Sequence, residues 1–257
     1  MPTADCMIQS RHNQHYKRWQ RYVSHPEKQE CPWIPVEGHK QIEELSRDHS
    51  IELLLFSDTS QAATQPFLSR SRQSQCLSEG LLERLSSVRS PQHMVAFFEK
   101  PTWKLEDLTS WVLYLDQVQD PGNLGTLLRT ARATGMFSVV TSPRSVACYN
   151  SKVIRASAAS LFTVPFLEGL DLESLTERGY ALCLATLQDG PSLYEVRLEA
   201  PQAIIIGNEG SGPADSTLAM NRTNLHIPMR GQTQSLNAAV AGSLILYEIF
   251  RQKELNG

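Results

Sequence analysis

Residues 203–212, Ala203-Ile204-Ile205-Ile206-Gly207-Asn208-Glu209-Gly210-Ser211-Gly212, and residues 225–237, Leu225-His226-Ile227-Pro228-Met229-Arg230-Gly231-Gln232-Thr233-Gln234-Ser235-Leu236-Asn237, decide how the chain is read. Ala203 to Ile206 is an unbroken apolar run, the pattern of a strand covered on both faces. It ends in a loop holding three glycines and one carboxylate, Glu209. Leu225 to Ile227 reads as a second, shorter strand, again ending in a polar loop that runs to Gln234. Ser235-Leu236-Asn237 then opens a helix predicted to align Leu236, Val240, Leu244 and Tyr247 on one face. Polar loops that follow strand ends are where an open α/β sheet binds its ligands.

Upstream, the same grammar repeats. Trp111 to Leu115 is a predicted strand, Leu124 to Thr134 a helix stopped by Gly135, and Val139-Val140 the start of another strand. Helices are expected over Asn150–Phe162 and Leu172–Arg178, with a strand from Ala181 ending at Thr186. Strand and helix alternate throughout, which predicts a parallel sheet. The first hundred residues read less cleanly. They suggest a helix over Met7–Val23, a strand at Trp33–Val36, a helix ending near Leu45 and a strand over Ile51–Phe56. A helix over Glu79–Leu85 and a strand over Met94–Phe98 follow, whereas Thr59–Gln75 is polar, Ser/Gln-rich and the least ordered in pattern. A linker near residues 100–109 divides the chain into an N-terminal domain, 1–104, and a C-terminal domain, 105–257.

Composition narrows the classes. The chain has 257 residues, 41% hydrophobic and 20% charged, with a net charge of −3. No apolar run approaches the ~20 residues that span a bilayer, and residues 1–20 lack the apolar core of a secretion signal. Cys6, Cys31, Cys76, Cys148 and Cys183 form no Cys-x-x-Cys pair, which points to reduced thiols in a cytoplasmic protein and away from metal. Neither a P-loop nor a Gly-x-Gly-x-x-Gly fingerprint is present. An acidic balance weighs against a nucleic-acid partner, yet cations cluster locally. Arg11, His12, His15, Lys17, Arg18 and Arg21 form one group around Tyr16 and Trp19, and Arg129, Arg132, Arg144, Lys152 and Arg155 form another.

A third sequence element lies at residues 120–129, where Asp120-Pro121-Gly122-Asn123-Leu124-Gly125 precedes Arg129. Taken alone, Asn123 reads as a helix cap, Arg129 as a surface arginine and Ser235-Leu236-Asn237 as a helix start. Taken together, the three elements resemble the SpoU (TrmH-type) branch of the SPOUT RNA methyltransferases, in motif order, across about residues 111–250. The N-terminal half matches more loosely, through Ile8, Ser10, Asn13 and Lys17 and through Val36-Glu37-Gly38. It is similar to the ribosomal-protein-like domain that precedes the catalytic one in that family.

The resemblance implies a parallel-sheet domain tied in a deep trefoil knot, a homodimer, and S-adenosylmethionine as cofactor. It implies cofactor contacts from Gly207, Ile227 and Leu236, with Thr186 and Met229 beside them. It makes Arg129 the residue that engages a ribose 2′-hydroxyl, with Asn123, Glu209, Ser235 and Asn237 orienting it, in cis or across the dimer. No metal is implied. The expected substrate is large-subunit ribosomal RNA, because of the N-terminal extension. A tRNA guanosine methyltransferase and a non-catalytic RNA-binding protein of the same fold are the alternatives, ahead of an unrelated small-molecule enzyme. One departure stands out: Ala159 occupies a position where the family often has glycine, a swap expected to leave activity intact.

Overall fold

The computed structural model describes residues 7–28, 30–86, 93–231 and 234–254. Gln232 and Thr233 of the loop expected up to Gln234 lie outside these residues. The chain divides into two compact units. Met1–Pro101 with Tyr149–Arg155 make one, and Thr102–Cys148 with Ala156–Gly257 make the other.

The first unit is built from α1 (Gln14–Ser24), β1 (Trp33–Glu37), α2 (His39–Leu45), β2 (Ile51–Ser57), α3 (Gln61–Leu68), β3 (Ser74–Leu77), α4 (Glu79–Leu85) and β4 (Met94–Glu99). Its sheet runs β1-β4-β2-β3, and β4 is antiparallel to both of its neighbours. Two expectations fail here. Helix α1 begins at Gln14 rather than Met7, because the Asn13 side chain accepts from the amides of His15 and Tyr16 and fixes the start. The polar stretch from Thr59 is ordered as α3 and β3, with Phe67 fully buried and β3 paired to β2 in parallel. A polar composition hid both elements, since β3 buries only Leu77.

The second unit holds β5 (Trp111–Leu115), α5 (Pro121–Thr134), β6 (Phe137–Thr141), α6 (Ser151–Ser157, whose last two residues belong here), β7 (Phe166–Leu167) and α7 (Glu173–Thr176). It continues through β8 (Ala181–Thr186), β9 (Gln202–Ile206), α8 (Asp215–Ala219), β10 (Thr223–His226) and α9 (Ala238–Glu254). Six parallel strands lie in the order β10-β8-β9-β5-β6-β7, as the alternating pattern predicts. Strands β5, β6 and β9 are buried along their whole length.

Helices α5 and α9 pack closely against each other. A Cβ on Gly242 would come within 2.5 Å of Leu127 Cδ2, so any larger residue there would require the buried Leu127 side chain to shift. This contact overturns the face expected for α9. Ala238, Ala239, Gly242, Ile245, Leu246 and Ile249 turn inward. Val240, Leu244 and Tyr247 stay 49%, 39% and 50% exposed, and Leu236 lies ahead of the helix.

The helix expected over Asn150–Phe162 is also broken. It stops at Ser157, and Ala158 and Ala159 follow with φ of 45° and 68° before a 3₁₀ turn at Ser160–Phe162. A left-handed backbone costs an alanine about 1–2 kcal/mol relative to its right-handed form. Glycine would relieve that strain but loses about 0.5–1 kcal/mol through its freer unfolded chain. At Ala159, which is 7% exposed, the loss of a buried methyl removes about 0.8 kcal/mol more. Ala158→Gly is therefore expected to raise stability by about 0.5–1 kcal/mol, while Ala159→Gly leaves it nearly unchanged, read from denaturant midpoints.

Candidate active site

The C-terminal edge of the parallel sheet gathers several of the expected site residues. Each strand end hands the chain to a loop, and the middle of the sheet, where β9 meets β5, is the natural crevice. Helix α5 starts there. Its cap is Asp120, whose side chain accepts from the amide of Asn123, and Pro121 occupies the first helical position. Asn123 is thus one turn inside the helix and is not the cap that its position suggests.

That displacement frees the Asn123 side chain for a different task. It is buried, donates from Nδ2 to Glu209 Oε1 at 2.7 Å, and accepts at Oδ1 from Asn237 Nδ2 at 2.9 Å. Asn237 in turn caps α9, with its Oδ1 accepting from the amides of Ala239 and Val240 at 2.9 and 3.2 Å. Three expected site residues, from three separate sequence elements, therefore form one chain of hydrogen bonds. Both ends of the Asn123 amide are engaged, so its orientation is fixed by its partners.

Arg129 is placed differently. Six residues carry it about 9 Å along α5 and about 120° around it from Asn123. It is exposed and makes no hydrogen bond or ion pair among the described residues. Its neighbour Thr130 meets Ser243 of α9 through their hydroxyls at 2.9 Å. Ser235 is also exposed, two residues ahead of the Asn237 cap.

The glycine loop after β9 is held from within by Asn208, which is not among the expected site residues. Its Oδ1 accepts from the amides of Gly210 and Ser211 at 2.9 and 3.0 Å, and its Nδ2 donates to the Gln117 carbonyl at 2.7 Å. Its backbone also pairs both ways with Gly212. An asparagine opening a polar loop signals such a turn, so this role was open to inference. Asp116 was missed as well. This buried carboxylate accepts from the amide of Ala214 and the hydroxyl of Thr217, anchoring the loop's exit to β5.

On that side of the sheet a cavity of about 330 Å³ is lined by Asp116, Arg144, Asp171, Glu173 and Tyr114, among others. Burial pushes the Tyr114 phenol well above its usual range, and the nearby Asp116, Asp171 and Glu173 carboxylates add to the shift. The phenol stays protonated and donates to the Leu170 carbonyl at 3.0 Å.

The expected cofactor residues Gly207, Thr186, Ile227, Met229 and Leu236 are all half-buried, neither sealed in the core nor projecting into solvent. Thr186, Gly207 and Ile227 sit at the ends of three adjacent strands, β8, β9 and β10. The Thr186 hydroxyl faces the carbonyls of Asp189 and Leu225, at 2.5 and 3.1 Å, and ties β8 to β10.

A parallel sheet with glycine and asparagine loops closing over its C-terminal edge defines a ligand-binding α/β domain. Residues 110–247 match the model of the SpoU rRNA Methylase family, and the chain belongs to that family. The 23S rRNA (guanosine(2553)-2′-O)-methyltransferase RlmP of Bacillus subtilis (strain 168) is 31% identical over 246 residues, spanning 94% of this chain and 98% of that protein. Among solved structures, an RNA 2′-O ribose methyltransferase superposes with a TM-score of 0.79 at 28% identity, covering 96% of this chain and 99% of the other. The SpoU methyltransferase AviRb from Streptomyces viridochromogenes, crystallised with AdoMet, shares the fold with a TM-score of 0.82. The match is 24% identical and covers 94% and 98% of the two chains.

Proposed function

We propose that this protein methylates a ribose 2′-hydroxyl of large-subunit ribosomal RNA, using S-adenosylmethionine. The observation that carries the reading is the Asn237–Asn123–Glu209 network, which joins three motif elements at one sheet edge. The similarity to the Bacillus subtilis enzyme runs through both units, which supports ribosomal RNA over tRNA.

The residues at the strand ends suit an adenosine. Main-chain groups at Gly207 and Ile227 offer donors and acceptors for a base edge, and half-buried Ile227, Met229 and Leu236 offer apolar contact. When bound, S-adenosylmethionine supplies a methyl group already activated by its positive sulfur. The protein's part is to hold the 2′-oxygen in line and manage its proton. A guanidinium offers five donors and no acceptor, so Arg129 is not suited to act as the base. Its guanidinium stabilises the oxygen as negative charge develops, while the proton leaves to water or a phosphate. Asn123, Glu209, Asn237 and Ser235 orient the reacting groups.

Arg129 makes no hydrogen bond to its own chain's network among the described residues, which favours a homodimer in which it completes the partner's site. The exposed Val240, Leu244 and Tyr247 of α9 supply an apolar face for such an interface. Leu244→Glu is expected to convert the dimer to monomer in sedimentation equilibrium and to remove transfer; an intact dimer would place the interface elsewhere. The deep trefoil knot and the ribosomal-protein-like nature of residues 1–104 belong to the same proposal.

The test is transfer of tritiated methyl to RNA from cells lacking the protein, with ribosomal RNA and tRNA separated afterwards. Label in large-subunit RNA at an alkali-resistant dinucleotide supports the proposal. Label confined to tRNA overturns the substrate, and cofactor binding without any label overturns the reaction.

A further inference from the structure

We propose that the outer face of α1, together with Arg11 just ahead of it, is a seat for the RNA phosphate backbone. The inference rests on the reading of RNA as substrate. From Met7 to Pro26 the sequence carries Arg11, Lys17, Arg18 and Arg21 and no Asp or Glu, in a chain whose net charge is −3. This local excess is not a by-product of a basic composition.

The helix sorts these residues sharply. Tyr16, Trp19 and Val23 are buried against the core of the first unit, and the Tyr16 hydroxyl donates to the Leu81 carbonyl at 3.1 Å. Gln14, Lys17, Arg18 and Arg21 then fall at i, i+3, i+4 and i+7, one continuous outward stripe about 10 Å long. The Asn13 cap sets where the helix starts, and therefore which way the stripe faces.

Elsewhere in this unit, Arg47 meets Glu43 at 3.7 Å and Arg72 meets Glu52 at 3.3 Å. On the stripe, Arg11, Lys17 and Arg21 have no ion-pair partner among the described residues, and Arg18 reaches only His15 Nδ1 at 3.5 Å. Unpaired cations held in a fixed row, with glutamine and histidine donors between them, match a polyanion of regularly spaced phosphates. The exposed positions of α1 are all polar, which leaves nothing to insert into a membrane. Such contacts position RNA without reading its sequence.

The test compares the triple variant Lys17→Gln/Arg18→Gln/Arg21→Gln with the control Arg47→Gln/Arg70→Gln/Arg72→Gln, which loses the same charge elsewhere in the unit. Glutamine keeps helix propensity close to that of lysine and arginine, and the replaced side chains are exposed, so folding is spared. Affinity for a large-subunit RNA fragment is measured against potassium chloride concentration, alongside kcat, KM and cofactor Kd. The stripe variant is expected to lose about 30-fold in affinity and about 2–3 in the slope of log K against log salt. Its kcat and cofactor Kd stay unchanged, and the control shifts far less. Equal losses in both variants, or none in either, overturn the surface. If the stripe variant falls away while wild type binds RNA but never methylates it, the surface stands and the functional reading falls. Wild type that binds no RNA ends both.

Discussion

Arg129→Ala is expected to lower kcat for methyl transfer by about 10²–10³-fold, the usual effect of removing a group that stabilises developing charge. Cofactor Kd and the melting temperature should stay close to wild type, because the side chain is exposed and pairs with nothing among the described residues. Single-turnover transfer at saturating RNA separates this loss from weaker binding. Arg129→Lys keeps the charge but not the planar fork, and recovers only part of the rate. Full activity in Arg129→Ala would remove the arginine from the mechanism. Mixing Arg129→Ala with Asn123→Ala gives a sharper outcome. If the arginine serves the partner's site, mixed dimers regain transfer at one of their two sites, although each parent is inactive.

Gly207→Ala is expected to be nearly as damaging for a steric reason. A Cβ there would lie 2.5 Å from Pro213 N and 2.8 Å from the Gly212 carbonyl carbon. Both are backbone atoms and neither can swing aside, so the loop itself must open. Overpacking of this kind destabilises by about 1–3 kcal/mol. The displaced loop would also carry Asn208 and Glu209 out of register, raising cofactor Kd by tens of times. Gly210→Ala, in the same loop, is the control. Its Cβ would meet nothing nearer than Asn208 Oδ1 at 3.6 Å, and both stability and Kd should hold. Calorimetric titration with S-adenosylmethionine reads both variants; equal affinities would show that the loop yields freely.

Much of the sheet was legible in the sequence because its strands are continuous apolar runs. Ala203–Ile206 and Trp111–Leu115 could be little else once Gly207 and Asp116 ended them. Helix α9 was misread because periodicity gives weight to large side chains, whereas close helix packing selects small ones. Val240, Leu244 and Tyr247 formed the more obvious stripe, but Gly242 and its alanine neighbours made the contact with α5. Strand β3 and helix α3 were hidden by a polar composition: β3 buries only Leu77, and α3 buries Thr64 and Phe67 between exposed residues. The site residues themselves were marked by type and order. Their mutual contacts were not, since a hydrogen bond between Asn123 and Asn237 leaves no trace in local spacing. Asp116 was invisible for the same reason. Nothing in the sequence around it records that Ala214 and Thr217 will fold back onto it.

The bond from Asn237 to Asn123 links positions 114 residues apart. During synthesis, α5 and its asparagine leave the ribosome long before α9 exists. A nascent chain that ends short of Asn237 holds Asn123 with one end of its amide unanswered. The network is therefore completed only once the start of α9 has been made. A stalled or prematurely ended copy would carry the Asn123–Glu209 pair without the asparagine that engages the other end of the Asn123 amide.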